Sequence, residues 1–337
     1  MKKNILFTII GLSTLFVSCT KNIRKNENNI SVVATTFPVY DAVRAVGGDF
    51  IGNQISLKLL VKPGSEVHSY DPSPADIIAI QNSDLFIYIG GESDEWVEKI
   101  LKSSEKSLKS EPISLIEKVK TVFEPEFDEE DDDLEHETDH HESRNEHHHE
   151  HDEINEHEID EHIWTSPENE IIIVKTVCDS LVKIAEEKNH SELCESLNNN
   201  AADYINEINK LIEETKKIVE SKAEPFILMA DRFPFIYFTN FYGLTYDAAF
   251  SGCSTAVEAN TKTISRLIDT VKQKKLTSIF YIELGNHKIA DSIAESTGTK
   301  TILLQSCQNV TKNDFDNGET WLSLMKYNTE ALNIGLR

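Results

Sequence analysis

Short apolar segments alternate with amphipathic ones along most of the chain, and this alternation restricts the fold more than any other feature. "ISVVATT", "ISLKLLV" and "DLFIYIG" are predicted strands, with helix-like segments such as "FPVYDAVRAVGG" between them. A second series, with "PFILMA", "TYDAAF", "TSIFYIE" and "TKTILLQS" as strands, occupies the last third of the chain. Apolar strands that alternate with helices predict parallel sheets covered on both faces. The sequence therefore predicts two α/β lobes.

A long helical segment separates the two series. Its second part, "LNNNAADYINEINKLIEETKKIVES", predicts a helix of roughly thirty residues, about 45 Å long. We therefore expect an N-terminal lobe at 30–167, linking helices at 168–222 that include one long rigid helix, and a C-terminal lobe at 223–337. Within the second lobe, the capping-box pattern Thr255–Glu258 predicts a helix over 255–274.

The first residues predict export rather than a part of the fold. Two lysines precede an apolar segment at 5–17, which is too short to span a bilayer comfortably but suits a signal peptide. The segment ends in "LFVSC", which resembles a bacterial lipoprotein processing site. We expect a signal peptide at 1–19, a lipidated Cys19 and a polar tether at 20–29. The protein would then be periplasmic or at the cell surface, anchored to the membrane; an ordinary secretory signal is the alternative.

An acidic, histidine-rich tract at 124–161 interrupts the first lobe. It holds 20 Asp and Glu against one Arg, so it carries −19 of the formal net charge of −25. This balance leaves no basic surface for nucleic acid. The tract's composition cannot bury apolar surface and predicts disorder, while its interleaved imidazoles can chelate divalent metals weakly. A solvated acidic linker is the alternative interpretation.

Candidate metal ligands follow the ends of the predicted strands, where ligands bind in parallel α/β sheets. His68 lies in the loop "KPGSEVHSYDPSPAD" after a strand, and Asp231 follows "PFILMA". Glu283 ends "TSIFYIE", and His287 comes one helical turn later. His162 ends the tract, where the regular pattern resumes. Imidazole and carboxylate are ligands suited to Zn²⁺ and Mn²⁺, so these five residues predict a metal site.

Each candidate also has an ordinary structural interpretation. His68 and His162 can be solvated histidines, and His287 can be a surface residue of a helix. Asp231 can form a turn or an ion pair with its neighbour, and Glu283 can cap the following helix. The four cysteines after Cys19 permit disulfides in an exported protein, but their spacing leaves the pairing open.

Two motifs carry a resemblance to a known family. "PGSEVHSYDPSPAD" is similar to the motif PG-x-x-x-H-x-Y-x-P-[ST]-x-x-D, and "DEHIWTSP" is similar to D-[PE]-H-x-W-x-x-P. Both are typical of the solute-binding proteins of zinc and manganese ABC importers, which the whole chain after the signal resembles. The resemblance implies the metal-type periplasmic binding protein fold, Zn²⁺ as the bound ion with Mn²⁺ as an alternative, and an ABC permease as partner. It implies a monomer and a binding protein rather than an enzyme.

The C-terminal lobe departs from the family's pattern. Ala230 stands where the family usually has a histidine, and "LLQSCQN" stands where it often has L-D-P. The resemblance makes Asp231, Glu283 and His287 the leading replacements for these two ligands. Cys253 and Cys307 are the second choice, and Glu66 is a further candidate.

These observations predict the extracytoplasmic zinc-binding component of an ABC metal importer. The ion would bind between the lobes and pass to the permease. A manganese- or iron-binding importer component and a metal-binding adhesion lipoprotein are the alternatives. A zinc hydrolase is disfavoured because the two histidine motifs are those of a binding protein.

Overall fold

The structure of the protein is a computed structural model that describes residues 29–104, 108–127, 158–254 and 259–337. The predicted signal peptide, Cys19 and nearly all of the tether lie outside these ranges, as does most of the acidic tract. Within the described ranges, no helix combines the length and the apolar composition needed to cross a bilayer.

The N-terminal lobe is a four-stranded parallel sheet with the order β2-β1-β3-β4. Its strands are β1 (Ile30–Ala34), β2 (Ile55–Leu59), β3 (Leu85–Tyr88) and β4 (Ile113–Ser114), and its helices are α1 (Phe37–Gly47), α2 (Pro74–Gln81) and α3 (Glu95–Ser104). The start of α2 follows from its sequence: Pro74 occupies the first turn, and Ser73 and Asp76 form a reciprocal capping box. This cap ends the loop that carries His68.

Two helices connect the lobes, α4 (Pro167–Glu187) and α5 (Ser191–Glu220). The 30 residues of α5 match the predicted length, about 45 Å at 1.5 Å per residue. Its buried residues face α1 and α4 on one side and the C-terminal helix of the second lobe on the other. The long helix therefore packs against both lobes.

The C-terminal lobe repeats the architecture, with a parallel sheet of order β6-β5-β7-β8. Its strands are β5 (Phe226–Phe233), β6 (Thr245–Ser251), β7 (Ser278–Ile282) and β8 (Lys300–Leu304), and its helices are α6 (Ile236–Tyr242), α7 (Thr261–Lys274), α8 (Lys288–Thr297), α9 (Lys312–Asp316) and α10 (Trp321–Gly335). The prediction of two parallel-sheet α/β lobes joined by a long helix is confirmed.

One predicted helix start is wrong. The helix α7 begins at Thr261, because the side chain of Asn260 caps it by accepting the N–H of Thr263 at 2.8 Å. The capping-box residues 255–258 lie outside the described ranges. Asn260, five residues after Thr255, supplies the cap of α7.

One hydrophobic core runs through both lobes and the linking helices. Trp164 and Trp321 lie at its centre and are 1% and 0% exposed. The indole of Trp321 donates to the carbonyl of Trp164 at 3.0 Å, and the indole of Trp164 donates to the carbonyl of Ser306 at 2.8 Å. Because a shared core resists separation, the two lobes are expected to move little relative to one another.

The two ends of the acidic tract are held together beside the C-terminal lobe. The N–H of Glu124 donates to the carbonyl of Glu158 at 2.9 Å, and the N–H of Asp160 donates to the carbonyl of Val122 at 3.0 Å. The hydroxyl of Tyr237, on α6, donates to the carbonyl of Asp160 at 2.6 Å. The chain therefore leaves and re-enters the fold at one point, next to His162.

Candidate metal centre

The loop after β2 places His68 at the boundary between the lobes. The Nδ1 atom of His68 lies 2.8 Å from the hydroxyl of Ser93, which follows β3. Its Nε2 atom lies 3.3 Å from the amide nitrogen of Gln308, which follows β8 in the other lobe. Burial, and next the charge of His162, lower the pKa of His68 to about 4. Its imidazole is therefore neutral at physiological pH, the form that binds metals.

His162 is fully buried directly before a 3₁₀ turn at Ile163–Thr165. The carboxylate of Asp160 lies 3.1 Å from its Nδ1 and also accepts its backbone N–H at 2.8 Å. Within the described ranges, Nε2 of His162 has no hydrogen-bond partner. Burial lowers the pKa of this imidazole, but the neighbouring Asp160 carboxylate outweighs it and the net shift is upward. The Asp160 carboxylate holds a proton on Nδ1 and leaves the Nε2 lone pair free for a ligand.

Glu161 joins the two histidines. Its carboxylate is 2% exposed and accepts both the N–H of Ser93, at 2.8 Å, and the Ser93 hydroxyl. Because that hydroxyl donates to Glu161, its oxygen can only accept from His68, which places a proton on Nδ1 of His68 as well. Burial raises the pKa of Glu161, while the charge of His162 acts in the opposite direction. In its neutral form, each imidazole thus presents Nε2 as the unprotonated nitrogen.

Two groups of donor atoms meet at His162. One donor atom each from His68, Glu161 and His162 lie within 4.8 Å of one another, and so do donor atoms from Glu124, His162 and Cys253. Donor atoms around a tetrahedral Zn²⁺ are roughly 3.5 Å apart, given bonds of about 2.0–2.3 Å. Shifts on the order of 1 Å in each group would therefore bring it to coordination distance. An orphaned buried nitrogen beside a neutral imidazole and two acids suits a divalent cation.

Asp231 and His287 lie in a neighbouring cavity rather than in either donor group. Both line a cavity of about 390 Å³ between the lobes, which His68 also lines. Asp231 lies within β5, not after it, because the strand continues past a register shift to Phe233. Its carboxylate accepts the N–H of Arg232 at 2.8 Å, and the ring of His287 packs edge-on against Tyr281.

Glu283 is buried behind the site. Its carboxylate accepts the N–H of Ser306 at 2.7 Å, the hydroxyl of Ser306 at 2.6 Å and the N–H of Cys307 at 3.1 Å. Burial raises its pKa to about 7. Glu66, the further candidate, lies 3.5 Å from the guanidinium of Arg232. The structure thus brings His68 and His162 together, with ring centroids 6.4 Å apart, and holds Glu283 in contacts with backbone groups.

The sequence reasoning missed Glu161, Ser93, Gln308 and Glu124. Glu161 is the only one with a local signal, since it directly precedes His162 in "DEHIW". Its role could not be recognised from the sequence, because it ends an acidic tract whose composition predicts solvent-exposed side chains. Ser93 and Gln308 come from distant parts of the chain, and only the fold brings them to His68. All four cysteines of the described ranges are free thiols, Cys178, Cys194, Cys253 and Cys307.

The fold and the candidate site together have the form of a two-lobed α/β solute-binding protein, with donor atoms that could hold a metal ion between the lobes. The chain belongs to the zinc-uptake complex component A periplasmic family, whose model matches residues 32–335. The family expected from the two histidine motifs is therefore confirmed.

Individual relatives agree with this assignment. The chain is 28% identical over 334 residues to the zinc-binding lipoprotein AdcA of Streptococcus pneumoniae strain R6, covering 98% of this chain and 60% of AdcA. It is 28% identical over 339 residues to the high-affinity zinc uptake system protein ZnuA of Bacillus subtilis, covering 98% and 97%. The Zn(II)-bound ZnuA-like domain of the pneumococcal AdcA superposes with a TM-score of 0.69 at 25% identity, covering 91% of this chain and 99% of that domain. The chain thus spans about 60% of the length of the AdcA relatives it matches.

Proposed function

We propose that this protein is the extracytoplasmic zinc-binding component of an ABC importer, and that it binds Zn²⁺ through His68, Glu161 and His162. It would act by capture and delivery and would not be an enzyme. The proposal draws on membership of the zinc-uptake family and on relatives named for zinc binding and zinc uptake.

One observation carries the assignment of the site. The Nε2 atom of His162 is buried and, within the described residues, unpartnered, while donor atoms of His68 and Glu161 lie within 4.8 Å of the His162 donor. A buried polar atom without a partner is unfavourable by about 1–3 kcal/mol. A bound cation would satisfy this nitrogen.

The donor types favour zinc over the manganese or iron alternative. Two imidazole nitrogens with one carboxylate suit Zn²⁺, whereas Mn²⁺ prefers sites dominated by oxygen. Because the ligands must be unprotonated, we expect the affinity to fall as pH falls through the histidine range.

The proposals for export, anchoring and assembly are taken from the sequence. We propose a signal peptide at 1–19, a lipid on Cys19, a tether at 20–29, and a monomer that docks on a membrane permease. The lobes would comprise 30–167 and 223–337, joined by the helices of 168–222. Because one core runs through both lobes, we propose that release depends on loop rearrangement more than on wide opening.

The test is equilibrium dialysis of the chain after residue 19 against Zn²⁺, with competition by a chelator of known affinity. We expect one tight zinc per chain, and loss of that site in the His68→Ala and His162→Ala double variant. His190→Ala is the matched control, because His190 occupies the N-cap position of α5 and belongs to neither donor group. Unchanged tight binding in the double variant would overturn the assignment, and several weak sites without a tight one would favour a surface or adhesion role.

A further inference from the structure

Cys253 approaches the candidate site from the C-terminal lobe. It lies two residues after β6, at the end of the sheet where ligands are expected. One donor atom of Cys253 lies within 4.8 Å of donor atoms from His162 and Glu124. Cys253 is partly buried and is a free thiol.

Two contacts hold the Cys253 loop against His162. The backbone N–H of Cys253 donates to the carboxylate of Glu124 at 2.7 Å. The preceding residue, Gly252, faces the imidazole so closely that an added Cβ would lie 2.8 Å from Cε1 of His162 and 3.0 Å from its Nδ1. A glycine at this position allows the loop to pass directly beside the ring. These contacts hold the backbone of the Cys253 loop beside the His162 ring.

One residue, His162, belongs to both donor groups. Because Asp160 occupies Nδ1 of His162, Nε2 is the nitrogen left for a metal ion. An ion held by His162 would have His68 and Glu161 as neighbours in one group and Cys253 as a neighbour in the other, so its ligands would come from both lobes.

We propose that Cys253 completes this zinc site as a thiolate ligand from the C-terminal lobe. The inference rests on the proposed function. Cys253 would take the place of the histidine that the family usually has where this chain has Ala230. When the bond from Sγ to the metal forms, the Sγ–H bond breaks and its proton leaves to solvent; no electron is transferred. Two neutral imidazoles, one carboxylate and one thiolate balance the charge of Zn²⁺.

The proposed ligand changes which metals the site accepts. A thiolate is a soft ligand that suits Zn²⁺ and Cd²⁺ and disfavours Mn²⁺. It also ties the two lobes together through the ion, since His68 and His162 belong to the first lobe and Cys253 to the second.

The test replaces zinc by Cd²⁺ and by Co²⁺ in the chain after residue 19 and records sulfur-to-metal charge-transfer absorption in the ultraviolet. We expect a band that saturates at one metal per chain, and its loss in Cys253→Ser. The zinc affinity of that variant should fall by at least about tenfold, since loss of a ligand's supporting partner alone weakens binding 10–100-fold. Cys194→Ser is the matched control: Cys194 lies on α5, and its thiol donates to the carbonyls of Val182, on α4, and of His190, directly before α5.

The outcomes separate this inference from the proposed function. Tight one-to-one zinc binding without a sulfur band, or a band and affinity that survive in Cys253→Ser, would overturn the thiolate ligand and leave the importer proposal standing. Loss of the band in Cys194→Ser would also overturn it. Absence of any tight zinc site in the unmodified chain would overturn both. The thermal midpoints without metal show whether each variant is folded, and comparable midpoints are required of Cys253→Ser and Cys194→Ser.

Discussion

Asp160 provides the sharpest test of how the site is organised, because it supports His162 without being one of the proposed ligands. Its carboxylate lies 3.1 Å from Nδ1 of His162 and is fully buried. It fixes the orientation of the ring and the proton on Nδ1, and its negative charge increases the basicity of Nε2. Changing Asp160 therefore changes the metal affinity chiefly through its direct contact with His162.

The expected loss of zinc affinity depends on which interactions of Asp160 each substitution retains. Asp160→Asn retains an oxygen that can accept from Nδ1 but removes the charge, so we expect about a tenfold loss of zinc affinity, about 1.4 kcal/mol. Asp160→Ala removes the acceptor as well and leaves the backbone N–H of His162 without its side-chain partner. We expect a loss of about 100-fold, about 2.8 kcal/mol, and a lower free energy of unfolding by about 1–3 kcal/mol.

The assay is a chelator competition at fixed pH and at a temperature well below the thermal midpoint of each variant. Asp203→Asn on the exposed face of α5 is the matched control and should bind zinc like the unmodified chain. The reasoning is refuted if both Asp160 variants are folded and keep full affinity, or if the Asn variant loses more affinity than the Ala variant.

Three further changes test other parts of the structure. Glu170 is buried beside Asp41, and burial together with that carboxylate raises its pKa well above the usual range. The folded protein therefore retains a proton that the unfolded chain releases, so its stability falls as pH rises above about 4.5. In that pH range, the free energy of unfolding of Glu170→Gln should increase relative to the unmodified chain by up to about 1.4 kcal/mol for each pH unit. Urea unfolding at several pH values measures this difference, and a difference that does not depend on pH would contradict the reasoning. Deleting 128–157 behind a short Gly-Ser linker should remove weak zinc sites in dialysis and spare the tight one, since the paired ends of the tract remain; loss of the tight site would show that the tract belongs to it. Gly252→Ala should displace the His162 ring and weaken zinc binding in the chelator competition, whereas unchanged affinity would mean that the loop can move away.

The fold was largely predictable because its signals are local. The apolar runs of β1 and β5 alternate with helical segments, and the Ser73–Asp76 cap is a short-range pattern. The start of α7 was not, because two capping patterns lie close together in the sequence and the helix begins after the second, at Asn260. The alternation of strands and helices likewise indicated two lobes but could not show that a single core runs through both of them.

The candidate site was predictable only where a motif carried it. The rule that ligands follow parallel strands selected His68, which lies at the lobe boundary, and Glu283, whose carboxylate accepts hydrogen bonds from Ser306 and Cys307. Those contacts come from the loop after β8, and no local pattern near Glu283 reports them. Glu161 presents the opposite case. The composition of the acidic tract predicts that its side chain is exposed to solvent, whereas its contact with the distant Ser93 accounts for its burial.

The rigidity of the lobes and the placement of the donors lead to one view of metal capture. A core that is continuous across both lobes leaves the loops as the parts able to move, and the donor atoms lie on those loops. Gln308 lies 3.3 Å from Nε2 of His68 and 3.5 Å from the Glu161 carboxylate, so a metal that binds there has to replace its hydrogen bonds. Metal binding would then be a local exchange, in which the side-chain amide of Gln308 leaves His68 and Glu161 and the cation takes its place. Gln308 belongs to the second lobe, so under the proposed function the same exchange would reverse if that loop shifted, and the ion could leave without the lobes separating.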